Sequence, residues 1–176
     1  MLRPTKVPHR LDRQALTCRA IVETPHGSRA KFTFDEDSGL YVLGKMLPAG
    51  LAFPLDFGFV PSTLGGDGDP LDILILAEAE LPVGCLVDVR LLGAIEVEQW
   101  REGEKKVRND RLIARLAESR AFAELESLDQ LGSAFTEEPD SFFRTYKTLR
   151  GQNYEVLAVG DAERAAELIE EAAAKP

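Results

Sequence analysis

Residues 61–77 constrain the fold more tightly than any other stretch of the chain. Pro61-Ser62-Thr63-Leu64-Gly65-Gly66 is a run of turn formers. Asp67-Gly68-Asp69-Pro70-Leu71-Asp72 follows, with three carboxylates inside six residues. Ile73-Leu74-Ile75-Leu76-Ala77 is then a continuous apolar run that reads as a buried strand. A stiff loop therefore delivers three acids to the mouth of a strand. Gly68 allows a tight backbone path, and Pro70 fixes its own φ and removes one donor.

Three carboxylates held this close repel one another. Either some stay protonated or a cation sits among them. Hard divalent ions such as Mg²⁺ favour carboxylate oxygens, so a metal site is the natural reading. A polar surface turn is the bland alternative, since Asp and Gly are common in turns. Pro70 and the apolar strand weigh against a floppy solvated turn. A calcium-binding EF-hand loop is excluded, because Leu71 and Asp72 stand where that loop needs a ligand and a glycine.

The rest of the chain reads as short strands joined by turns. An irregular arm, residues 1–14, carries Pro4 and Pro8. Leu16 to Thr24 alternates, with Leu16, Cys18, Ala20 and Val22 on one face. Lys31 and Thr33 share a face opposite Phe32 and Phe34, and Leu40 to Leu43 is a third strand, so the chain opens as a β-meander. Leu86 to Glu98 predicts a long strand, Arg101 to Asn109 a charged hairpin tip, and Arg111 to Leu116 the returning strand. One helical turn is expected at Ser127 to Leu131. A helix is expected from near Thr136 to Arg150, with Pro139 in its first turn and Gly151 ending it. Tyr154 to Val159 reads as a last strand. Asp161 can cap a final helix that buries Ala165, Leu168, Ile169 and Ala172. Strands first and helices last predict a closed β-barrel with appended helices.

The length of 176 residues suits one domain spanning 1–176. The longest apolar runs are too short to span a membrane, and no apolar segment follows the basic N-terminus as a secretory signal would require. Cys18 and Cys85 read as small buried hydrophobes in strand-like stretches of a reducing compartment, with one disulfide as the alternative. Net charge is −9, which disfavours nucleic acid as a partner but not a phosphate substrate, provided metals and local Lys or Arg invert the field. Gly39-x-x-x-x-Gly44-Lys45 imitates the start of a P-loop, but Met46 stands where Ser or Thr is needed. His9 and His26 have no metal-like spacing and receive no role.

Phe53-Pro54-Leu55-Asp56-Phe57-Gly58-Phe59-Val60-Pro61-Ser62-Thr63-Leu64-Gly65-Gly66-Asp67-Gly68-Asp69-Pro70-Leu71-Asp72 closely resembles the signature region of family I soluble inorganic pyrophosphatases. Weaker matches extend the resemblance from about Ala20 to about Gly160. It implies a mainly β fold with α, an OB-like closed five-stranded β-barrel with C-terminal helices. It also implies Mg²⁺-dependent hydrolysis of pyrophosphate by a cytoplasmic homo-oligomer, with hexamers frequent among bacterial-sized members. By resemblance Asp67 and Asp72 hold Mg²⁺, Glu23 lies in the outer metal shell, and Asp69 is the catalytic residue that takes the proton of a metal-bound water. Lys31, Lys45, Arg111, Tyr146 and Lys147 would bind the substrate. Taken singly, Lys31 equally fits a solvated strand face, Tyr146 a core aromatic, Lys147 a solvated helix charge and Glu23 an edge-strand gatekeeper.

The resemblance is incomplete. Thr33 stands where the family has an acid. Lys45 replaces an arginine, which keeps charge but loses the bidentate fork. Phe57 and Phe53 replace tyrosines. Gln99 and Asn109 align with two metal-binding aspartates, and Arg111 with a lysine. An amide oxygen still ligates a hard cation, so Asn109 is kept as a metal residue. Asp110 or Asp56 would supply a displaced carboxylate if either faces the acidic loop. The first expectation is a pyrophosphatase. The alternative is a divergent non-catalytic or altered-substrate relative that binds phosphoanhydrides. An OB-type nucleic-acid binder is disfavoured by charge and by sparse exposed aromatics.

Overall fold

One strand organises the sheet: β6 (Leu86–Trp100), whose fifteen residues exchange hydrogen bonds with four others. The computed structural model of the chain describes residues 3–173, apart from the side chains of Ala134 and Thr136. The other strands are β1 (Thr17–Thr24), β2 (Ala30–Asp35), β3 (Leu40–Met46), β4 (Asp56–Phe59), β5 (Asp72–Leu76), β7 (Val107–Arg108), β8 (Arg111–Leu116) and β9 (Asn153–Asp161). The helices are α1 (Ser133–Thr148) and α2 (Ala162–Ala172), with 3-10 turns at Pro4–Lys6 and Leu128–Leu131. Pairing runs β1-β4-β5-β8-β6 and closes through β6 back onto β1, so five strands form the expected ring. All pairs in the ring are antiparallel except β5 with β8. β7 and β9 extend β6 beyond the ring.

Both faces of β5 are buried, which explains its unbroken apolar run. Ile73 and Ile75 join a cluster with Cys18, Ala20, Val22, Leu91 and the buried face of α2. Leu74 and Leu76 face the other way, into Phe53, Phe57, Ile113 and the aromatic face of α1. Period-two alternation thus splits one strand between two clusters. β4 reaches β1 at Gly58, where a Cβ would collide with the Ile21 carbonyl. Only glycine permits that approach.

Three expectations need correction. β1 does not continue into a meander: β2 and β3 form a separate two-stranded hairpin, while β1 pairs with β4 and β6. The hairpin is tied back by Thr24, whose Oγ1 accepts from Phe32 N at 3.0 Å and donates to Phe32 O at 3.2 Å. A side chain here substitutes for a backbone ladder, a junction that alternation alone does not reveal. α1 starts at Ser133, so Pro139 lies inside the helix rather than in its first turn. Gly132, at φ +75°, begins the helix earlier than the proline suggests. Cys85 precedes β6 and is only half-buried; Cys18 is buried, and both are free thiols.

The final helix is as expected. Asp161 Oδ1 accepts from Arg164 N at 2.9 Å and caps α2. Ala165, Leu168 and Ile169 are buried, and Ala172 partly so.

Candidate active site

The acidic loop is held from three sides. Thr63 Oγ1 donates to Val60 O at 2.6 Å and accepts from Leu71 N at 2.9 Å, bracketing the loop. Leu64 N donates to Ala172 O at 2.7 Å, anchoring it to the end of α2. Ser62 N and Oγ donate to Thr5 O and Val7 O of the N-terminal arm. Inside the loop, Gly65 N bonds Asp69 O at 2.7 Å and Asp69 N bonds Asp67 Oδ1 at 3.2 Å. Gly68 adopts φ +90°, which an L side chain would resist. Asp72 then opens β5, in register with Phe59 on one side and Arg111 on the other.

Glu23, on β1, is drawn into the same field. Its Oε1 accepts from Phe34 N at 2.8 Å. Burial pushes the Glu23 carboxyl up to about 7; nearby Asp72 and Asp69 add to the rise, against that hydrogen bond and Lys31. Burial also raises Asp72, opposed by Arg111, Lys31 and Lys147. Asp67 is raised by partial loss of water and then by Asp72 and Asp69. Glu23, Asp69, Asp72, Lys31 and Thr33 line one cleft of about 380 Å³.

A basic wall faces these acids. Arg111 is 1% exposed and lies 4.0 Å from the Phe143 ring centroid and 5.5 Å from that of Tyr154. Its Nε stands 3.8 Å from Asp72 Oδ2, and its Nη1 donates to Asn109 O at 3.3 Å. The buried Nε has no hydrogen-bond partner among the described residues. Lys31 Nζ sits 5.0 Å from the Phe57 ring centroid, so the phenylalanine supports the cation from below. Burial lowers Lys147 to about 8, assisted by Arg111 and Lys31 and opposed by Asp72. Lys45 is lowered by partial burial, then by Arg150, Lys31 and Arg101. Tyr146 is buried, and its Oη accepts from Arg150 Nη1 at 2.8 Å.

The expected residues are therefore drawn into one region from β1, β2, β3, the acidic loop, β8 and α1. Asn109 lies two residues before Arg111, with its own N–H bound to Val97 O. Sequence reasoning missed Arg150 and Arg101. The i, i+4 spacing of Tyr146 and Arg150 across the end of α1 is a signal that could have found the first. Nothing local marks Arg101, which the β6–β7 turn carries toward Lys45. The idea of a displaced carboxylate fails for both candidates. Asp56 accepts from His26 N and Leu81 N, and Asp110 accepts from Val97 N and pairs with Arg108.

Gln99 remains as an amide beside the loop. It lines a smaller hollow with Asp67 and Gly66, and its buried Oε1 has no partner among the described residues. Among the described residues, no three acidic, histidine or cysteine side chains stand close enough to close on one ion. The donor set nonetheless fits Mg²⁺. All its donors are hard oxygens, and Mg²⁺ is held by one or two carboxylates with water and substrate phosphate filling the rest. The raised Glu23, Asp67 and Asp72 carboxyls are what a cation would relieve.

Comparison with known proteins agrees with this geometry. The family model described as inorganic pyrophosphatase matches residues 20–175. The inorganic pyrophosphatase of Halalkalibacterium halodurans is 36% identical over 156 residues, 89% of this chain and 93% of that protein. That of Geobacillus stearothermophilus is 33% identical over 89% of this chain and 92% of its own length. The crystal structure of inorganic pyrophosphatase from Thermus thermophilus superposes with a TM-score of 0.88 at 30% identity, over 98% of each chain. The five-strand ring, the acidic loop at the head of β5 and these matches along nearly the whole sequence agree, and the chain belongs to the inorganic pyrophosphatase family.

Proposed function

We propose that this chain hydrolyses inorganic pyrophosphate to two phosphates in a Mg²⁺-dependent reaction. One observation carries the reading: Glu23, Asp69 and Asp72 face Lys31, Arg111 and Lys147 within one another's electrostatic field. A phosphoanhydride flanked by divalent cations needs both kinds of wall. In the reaction a water oxygen bonds to one phosphorus, the bridging P–O bond breaks, and the other phosphate leaves with that electron pair.

Asp67 and Asp72 would hold Mg²⁺, with Glu23 in its outer shell and Asn109 offering an amide oxygen. The bound metal would neutralise phosphate charge and acidify a water. Asp69 is the base: it is exposed at the loop tip, so it can accept the proton of the attacking water. Lys31, Lys45, Arg111 and Lys147 balance the charge of the two phosphates, and Tyr146 offers a hydroxyl. Phosphate release from pyrophosphate, with no comparable release from a phosphomonoester such as p-nitrophenyl phosphate, is the expected result. Equal turnover of the monoester would contradict the assignment.

Lys147 gives the site a pH dependence. A bound anion favours the protonated amine, so binding raises the Lys147 pKa above its free value of about 8. The lysine is charged below that pH, and affinity for an anion is full there. Above it, affinity for inorganic phosphate should fall by up to about tenfold per pH unit. Calorimetry with chelator present, between pH 7 and 10, checks this, and Lys147→Arg should flatten the fall. A wild-type affinity that stays level to pH 10 would remove Lys147 from the phosphate site.

A further inference from the structure

The Tyr146 hydroxyl carries a proton that the described residues leave unused. Its ring is stacked on Phe142, with centroids 6.0 Å apart and planes 4° from parallel. Arg150, one helical turn on, donates from Nη1 to Tyr146 Oη at 2.8 Å and keeps its guanidinium 5.5 Å from the ring centroid. A guanidinium has donors and no acceptor. Tyr146 therefore serves Arg150 only as an acceptor, and its own O–H must point elsewhere. Among the described residues, no hydrogen bond takes that proton.

Arg150 itself is firmly placed. Its N–H donates to Lys147 O at 3.0 Å, and Gln152 N closes on the same carbonyl at 3.0 Å. Gly151, at φ +68°, turns the chain immediately afterwards. The surroundings are cationic: Lys147 directly follows Tyr146 in sequence, and Lys45 feels Arg150, Lys31 and Arg101 together. An acceptor that enters such a field is an anion.

We propose that Arg150 is a positioning residue for pyrophosphate hydrolysis, holding the Tyr146 hydroxyl as a hydrogen-bond donor toward a phosphate oxygen. The inference rests on the pyrophosphatase reading above. Arg150 occupies one oxygen lone pair, which fixes the rotor, and its charge strengthens the hydroxyl as a donor. The residue thus acts through Tyr146.

A double-mutant cycle tests this on the full chain with Mg²⁺ and pyrophosphate: wild type, Arg150→Met, Tyr146→Phe and the double variant. Affinity for inorganic phosphate is measured in parallel. Arg150→Met should lower kcat/KM about tenfold, the scale of one charge-assisted hydrogen bond. The double variant should be no worse than Tyr146→Phe alone, and the same non-additivity should appear in the phosphate affinity. Arg150→Lys keeps a cationic donor and should recover most of the loss. Arg150→Met with unchanged kinetics would overturn the proposal, as would losses that multiply in the double variant, which would make Arg150 an independent anion contact. A fall in melting temperature with kinetics unchanged would assign it a structural role and also overturn the proposal. Wild type without turnover would overturn the pyrophosphatase reading as well, whereas active wild type with uncoupled variants would overturn this inference alone.

Discussion

Asp69→Asn should reduce the rate of phosphate release from pyrophosphate by about 10²- to 10⁴-fold, the usual contribution of a positioned general base. The substitution keeps size and hydrogen-bonding shape and removes the carboxylate proposed to accept the water proton. Stability should change little, by within about 0.5 kcal/mol, because Asp69 is exposed and the contact that shapes the loop uses its backbone carbonyl. Stopped-time phosphate assays at saturating Mg²⁺, with a melting curve, separate the two effects. A loss below tenfold would move the proton to another acceptor, and Glu23 would be the next carboxylate to substitute.

Arg111→Met should damage both activity and stability. The guanidinium packs over the Phe143 and Tyr154 rings, almost fully buried, and lies beside Asp72. Methionine fills much of the volume but leaves the carboxylate with less opposing charge. Removing one partner of a buried pair costs about 3–5 kcal/mol. The lower end is expected here, because Lys31 and Lys147 also act on Asp72 and its carboxylate keeps some contact with water. Activity should fall about 10- to 150-fold, matching the loss of a charged hydrogen bond to phosphate. Urea unfolding and kcat/KM measured on the same preparation check both. Arg111→Lys keeps the charge and loses the fork, so it should restore more stability than activity. An Arg111→Met protein of wild-type stability would mean that Asp72 needs no partner.

Much of the fold was legible because its signals are local. The turn formers before Asp67, the apolar run of β5, the Arg111–Leu116 strand and the Asp161 cap each depend on neighbouring residues. The hairpin β2–β3 was legible as two strands but not as a separate sheet, since the Thr24–Phe32 link that sets it apart joins residues by side chain. α1 began earlier than expected because proline marks where helices tolerate it, not where this one starts.

The site divides in the same way. The acidic loop declares itself within six residues. Its basic wall comes from Lys31, Lys45, Arg111 and Lys147, which lie far apart in sequence and are unremarkable singly. Only the family resemblance picked them out, and the fold then supplies a physical reason by drawing them into one field. Phe57 reads as a lost hydroxyl in the sequence, whereas in the structure it lies beneath Lys31 as an aromatic support. Arg150 and Arg101 escaped notice because their importance lies in what the chain folds beside them.

The most direct test of the account is phosphate release from pyrophosphate by the full chain, titrated with Mg²⁺ from excess chelator upward. The acidic loop and basic wall together predict release that is absent in chelator, rises with Mg²⁺ and saturates. Release that ignores the metal, or none at any Mg²⁺ concentration, would contradict it.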